Sequence, residues 1–161
     1  MSQAGLIHGL QFARAALERR GSLGIENLPR LGQIQGSTEG LEYCLRGGAA
    51  SNGRECLRVS VKGEVRLVCQ RCLGALVVPL DVKVELQLAE DPREIAQAQD
   101  EIDRVLASGA MDVAQLVEDE VILALPMVPR HEACLGTGAA PQTRASPFDE
   151  LDVLRHDEDR S

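Results

Sequence analysis

Between residues 54 and 89 apolar and polar side chains alternate with a period of two, and the main break in the alternation is CQRCLG, residues 69–74. Leu57, Val59 and Val61 alternate with Arg58, Ser60 and Lys62; Cys56 falls out of phase. After Gly63, which reads as a bulge, Val65, Leu67 and Cys69 share one face. On the far side of the break Val78, Leu80, Val82, Val84, Leu86 and Leu88 alternate with Asp81, Lys83, Glu85 and Gln87. Successive side chains of a strand point to opposite faces. The pattern therefore predicts two long antiparallel strands joined as a hairpin, with Cys69 and Cys72 at its tip. A sheet with one polar and one apolar face needs a helix or second sheet over the apolar side.

The rest of the chain supplies candidates for that cover. HGLQFARAALERR, residues 8–20, carries apolar positions at helical spacing and ends in two arginines before Gly21, which predicts a helix with its stop. Residues 31–36 alternate like a strand, and GLEYCLR, 40–46, predicts another. EDPREIAQAQDE, 90–101, is polar and reads as a loop with room for one helical turn; IDRVLA, 102–107, reads as a further strand. MDVAQLVEDEVILALP predicts the longest helix, capped by Asp112 with Gln115 three residues on and ended by Pro126. An extended MVPRHEAC follows. The fold class is α+β: an antiparallel sheet of about five strands with a CxxC-tipped hairpin, packed by an N-terminal and a C-terminal helix. Residues 1–135 form one domain. Residues 136–161 have linker and charged-tail composition and predict a flexible tail. Within it SPFDELDVL, 146–154, repeats Phe148, Leu151 and Leu154 at spacing three behind Ser146 and Pro147, as a short amphipathic peptide would.

Composition removes several function classes. With no Trp, one Tyr and two Phe, the chain has no aromatic platform on which nucleobases stack. Its net charge of −8 is wrong for a general nucleic-acid binder. The balance is uneven, since nine Lys/Arg stand against six Asp/Glu in residues 1–66. An RNA contact would have to come from residues such as Arg14, Arg19, Arg20, Arg30, Arg54, Arg58 and Arg66, set against the bland alternative of ordinary solvated surface. No signal-peptide pattern and no membrane-spanning apolar run stands in the sequence, so a cytoplasmic protein without membrane contact is expected. Phosphate-binding-loop, nucleophile-elbow, zinc-protease and calcium-loop motifs are all missing, and no small-molecule substrate is implied.

The five cysteines are expected as thiols or ligands rather than disulfides. Cys44 and Cys56 read as small buried hydrophobes. Cys69 and Cys72 read in three ways: as metal ligands, as reduced structural thiols, or as a redox pair. The last is weakest, because a redox C-x-x-C sits at a helix N-terminus and the flanks here are strands. H-x2-C at 131–134 offers a second short-spaced pair, and Cys69, Cys72, His131 and Cys134 would together make a closed structural zinc site of the Cys3His type. Such a site would fasten the C-terminal arm to the sheet. Glu118, Asp119 and Glu120 read as a solvated helix face, with docking onto a basic partner as the alternative.

VRLVCQRCLG, then VEDEVILALPMVPRHEAC, then SPFDELDVL, taken in that order, resembles the YceD family of large ribosomal RNA subunit accumulation proteins. By matching positions, Cys69, Cys72, Glu118, Asp119, Glu120, Pro126, Pro129, His131 and Cys134 are the family-like set. The resemblance implies a bacterial-type or organellar factor for the synthesis, processing or stability of 23S ribosomal RNA in large-subunit assembly. It supplies no catalytic residue, and a non-enzymatic role is expected. The implied partner is the large-subunit precursor, either 23S RNA or a ribosomal protein; the acidic charge favours the protein. Arg71 at the hairpin tip, Glu118, Asp119 and Glu120 on the helix, and Phe148, Leu151 and Leu154 in the tail are the candidate partner contacts. The competing reading is a zinc-stabilised protein–protein adaptor unrelated to ribosomes.

Overall fold

A computed structural model describes residues 5–134. In chain order the elements are β1 (Leu6–Ile7), α1 (Gly9–Arg14), β2 (Glu18–Leu23), a 3-10 turn at Ile25–Asn27, α2 (Pro29–Gln33), β3 (Leu41–Ala49), β4 (Glu55–Val68), β5 (Ala75–Ala89), α3 (Pro92–Ala96), β6 (Arg104–Leu106), β7 (Met111–Asp112) and α4 (Val113–Ala124). Five strands form one sheet in the order β2-β3-β4-β5-β6, and β1 pairs with β7 in a small ribbon. The expected α+β class holds, with one difference: β6 joins β5 in parallel, while the other pairs of the sheet are antiparallel. The parallel step is possible because α3 and its loop carry the chain back along the edge of β5.

The β4–β5 hairpin is the scaffold for the rest. Its register runs from Cys56 opposite Gln87 to Val68 opposite Ala75 without a slip, so Gly63 is not a bulge. A side chain there would stand 2.7 Å from Leu41 Cδ2 and 3.0 Å from the Gly40 carbonyl, at a φ of +150°. Close strand approach, not a change of phase, explains that glycine. Odd-numbered residues of β4 and even-numbered residues of β5 face inward. Leu57, Val59, Val61, Val65, Leu80, Leu86 and Leu88 pack with Leu41, Tyr43 and Leu45 of β3 into one core. Phe12 and Ala13 of α1, Leu31 of α2, and Leu116, Val117 and Val121 of α4 close it from the helical side.

Two expected elements differ. The N-terminal helix stops at Arg14, and residues 18–23 are an edge strand. The Leu17 amide donates to the Phe12 carbonyl and the Ala16 amide to the Ala13 carbonyl, with Ala16 at φ 47°. This is a Schellman stop with alanine where glycine is usual, so no glycine announced it. Gly21 instead lies in β2 against the Tyr43 ring, where a Cβ would be 2.9 Å from Cε1. Residues 31–36 are not a strand either: Pro29 starts the short helix α2, and only Ser37 bridges to Arg66. The two apolar residues there, Leu31 and Ile34, stand three apart among glycines and glutamines, and only Leu31 is buried.

Asp112 caps α4 as its sequence promised, accepting from the amides of Ala114 and Gln115 at 2.8 and 3.4 Å. The helix ends at Ala124, just before Leu125 and Pro126. Among the described residues no helix is long and apolar enough to cross a membrane. The expected tail, with Phe148, Leu151 and Leu154, lies outside the described residues.

Candidate metal centre

The long hairpin carries Cys69 and Cys72 beyond the end of the paired strands, into a tight turn. The Leu73 amide donates to the Cys69 carbonyl and the Cys69 amide to the Gly74 carbonyl, both at 2.9 Å. Leu73 takes the left-handed conformation at φ 58°, with its side chain exposed. On the other side, Pro126 ends α4, and the chain continues not as the expected extended segment but as an irregular arm of bends with a turn of its own at 132–133. That arm reaches the turn: the Gln70 amide donates to the Pro129 carbonyl at 2.8 Å.

The result brings all four sequence-predicted ligands together. One donor atom each from Cys69, Cys72, His131 and Cys134 lies within 4.8 Å of all the others. Cys69 Sγ stands 4.0 Å from Cys134 Sγ, and Cys72 Sγ stands 3.4 Å from His131 Nδ1. A tetrahedron with zinc–sulfur bonds of about 2.3 Å and a zinc–nitrogen bond of about 2.0 Å has edges of about 3.8 Å and about 3.5 Å. The two recorded edges are thus near the size that such an ion requires.

The histidine is prepared by its surroundings. His131 Nε2–H donates to the Ala75 carbonyl at 2.9 Å, since a carbonyl can only accept. This fixes the neutral tautomer and leaves the Nδ1 lone pair toward the sulfurs, an arrangement common to histidine ligands held by a second partner. Cys69 is fully buried, and its thiol is pulled down to about 5. The backbone amide of Cys72 is the largest cause, joined by those of Arg71 and His131, against the opposing effect of desolvation. Cys134 is pushed the other way by desolvation and by the neighbouring Cys69 sulfur. The turn favours the Cys69 thiolate, while burial and the Cys69 sulfur disfavour a second thiolate at Cys134, a conflict that a bound cation would relieve. Four donors complete a tetrahedron and leave no open coordination position.

The remaining expectations divide. Arg71 is exposed at the tip, as expected. Cys56 is fully buried, as expected, and Cys44 is half-buried. The acidic triplet on α4 is not a solvated face. Glu118 is buried and accepts from the Arg30 amide at 2.7 Å, the Leu31 amide at 3.0 Å and Arg30 Nε at 3.0 Å. It caps the start of α2 from another element, so its charge is used inside the fold. Asp119 pairs with Arg30 Nη1 at 2.6 Å. Glu120 is buried, and desolvation raises its carboxyl, with Asp103 and Asp119 adding to the effect. Arg30, which binds two of the three acids, was visible in the sequence only as one basic residue among many. Nothing in its spacing revealed a partner 88 residues away.

The family model described as "Large ribosomal RNA subunit accumulation protein YceD" matches residues 57–160, well over half of the chain. No curated protein and no solved structure matches. The matched span begins in β4 and includes both halves of the Cys/His cluster, so the chain belongs to the YceD family.

Proposed function

We propose that the protein is a non-enzymatic, cytoplasmic factor in the maturation of 23S ribosomal RNA and the assembly of the large ribosomal subunit. The observation that carries this reading is the family match, whose description ties the family to accumulation of the large-subunit RNA. A deletion strain should accumulate less 23S RNA and fewer large subunits on a sucrose gradient; normal RNA levels and a normal profile would end the reading. Co-purification with a partner set free of ribosomal proteins would favour the adaptor reading instead.

Within this function the Cys/His cluster is a structural zinc centre. Its three thiolates and one imidazole are the donors zinc prefers, and its closed coordination supports a non-catalytic role. Bound zinc would hold the arm at 125–134 against the hairpin tip. Elemental analysis should give one zinc per chain, lost in Cys69→Ser; a zinc-free parent purified without chelator would remove the centre.

A further inference from the structure

α1, α2 and α4 pack on the inner side of the sheet; on the outer side Cys56 and Gln87 are buried at the base of the hairpin, while the rows beyond them reach solvent. Its rows follow from the register. Arg20, Cys44, Ser60 and Lys83 lie side by side across four strands, and Glu18, Arg46, Arg58 and Glu85 form the next row. Between them runs an open groove of about 590 Å³ lined by Arg20, Arg46, Arg58 and Lys83, with Glu85 as the one acidic residue of its lining. Across the two rows four cations stand against two carboxylates, Glu18 and Glu85, a local reversal in a chain of net charge −8.

We propose that this face binds the sugar–phosphate backbone of RNA, with Arg20, Arg46, Arg58 and Lys83 as the phosphate contacts and Cys44 and Ser60 as the floor. The existing pairs orient the arginines and leave terminal guanidinium nitrogens for a ligand, although Arg58 Nη2 also donates to the Ala49 carbonyl at 2.9 Å. Glu18 takes Nε of both Arg20 and Arg46, and Glu85 takes Nε of Arg58 at 2.8 Å. Each of these pairs therefore uses the inner nitrogen of a guanidinium fork, the group best matched to phosphate. All three pairs are solvent-accessible, so exchanging a carboxylate for a phosphate costs little. Lys83 has no ion-pair partner among the described residues. Three strand spacings separate Arg20 from Lys83, about 14 Å, the length of about four phosphate-to-phosphate steps at the rise of a helical strand. No large exposed apolar side chain lies in these two rows to anchor a protein partner. Phe12 and Tyr43 are buried, so base stacking contributes nothing among the described residues and the binding is backbone-directed.

This inference deepens the ribosomal reading by naming RNA as a direct ligand, but it is a statement about the purified protein. Binding in vitro stands or falls whatever a deletion strain does. The full chain is titrated against a fluorescein-labelled 20-nucleotide single-stranded RNA of mixed sequence, by anisotropy, from low to physiological salt. The parent should bind at low salt, with a slope of log affinity against log salt of about −3, the value for four contacts to a single strand. Arg46→Gln/Lys83→Gln should weaken binding at least about tenfold and bring the slope to about −1.4. The charge-matched Arg14→Gln/Arg93→Gln, away from the groove, should leave the slope alone. Ser60→Glu, which removes no cation and sets a carboxylate in the floor, should also abolish binding and serves if the double variant fails to fold. An unbound RNA at low salt, equal losses in groove and control variants, or a glutamate 20-mer competing as well as unlabelled RNA would each overturn the proposal.

Discussion

The base of the β4–β5 hairpin and its tip belong to one pair of strands but are held by different means. At the base, Leu57, Val59 and Leu86 are packed beneath helices, and Leu45 beside them has no solvent exposure. Toward the tip, Val65 and Leu67 of β4 are still buried, but their partners Val78 and Leu76 on β5 are only half-buried, Val77 and Leu73 are exposed, and the crossing arm offers Met127 and Val128 to solvent. Burial of apolar area is non-directional and sums over many contacts. Where the hairpin outruns its helices that source fades, and four ligand atoms at set distances take its place. The base is positioned by volume; under the proposed zinc centre the tip is positioned by coordination geometry.

The difference can be broken from either side. The largest effect is expected at the base: Leu45→Ala should cost about 2–5 kcal/mol of global stability. Denaturant unfolding measures it, and the metal content of the folded fraction should be unchanged. Next is the buried carboxylate that joins α4 to α2. Glu118→Ala leaves the Arg30 and Leu31 amides without their acceptor and should cost about 2–4 kcal/mol. Glu118→Gln, which keeps a carbonyl there, should cost visibly less. A chelator should act at the opposite end. Hydrogen exchange at the Gln70 and Leu73 amides should accelerate, while amides in the middle of the β4–β5 ladder keep their protection. Uniform acceleration through the hairpin would contradict a division between base and tip.

The smallest effect belongs to Glu120, and its sign depends on pH. Burial raises its folded carboxyl above the unfolded value. The favourable contribution is present below the unfolded value, near pH 4.3, and is lost as pH rises through the folded one. At pH 7 the ion is held where it is disfavoured. Glu120→Gln should therefore raise the melting temperature by about 2–4 °C at neutral pH. Near pH 4 the gain should vanish; a gain of equal size at both pH values would rule out ionisation as its source.

What the sequence disclosed follows the same line. Long alternation located β5 at Ala75–Ala89 and β4 within a residue or so, because period-two burial is a direct record of a two-faced sheet. The ligand set was legible because C-x2-C and H-x2-C each announce themselves locally. The Schellman stop at Ala16 was not, since its signal is a backbone angle that alanine conceals. The acidic triplet was misread because the burial of Glu118 depends on Arg30 and Leu31, which only the tertiary fold brings near. The basic groove lay between these cases: Ser60 and Lys83 were visibly on polar faces, but only the strand order adds Arg20 and Arg46.

The four ligands come from two short segments about sixty residues apart, separated by β5, β6 and α4. An unfolded chain can offer a metal only two adjacent donors at a time, and closing so long a loop carries an entropic penalty until those elements have docked. Under the proposed zinc centre, full coordination is therefore expected late in folding and would act as a certificate of completion. A truncated or misassembled chain would hold the ion weakly and give it up. In the completed protein stability becomes a function of free metal concentration, rising as RT ln(1 + [M]/Kd). If the proposed zinc centre is occupied, the abundance of the folded protein would be tied to the supply of metal in its surroundings.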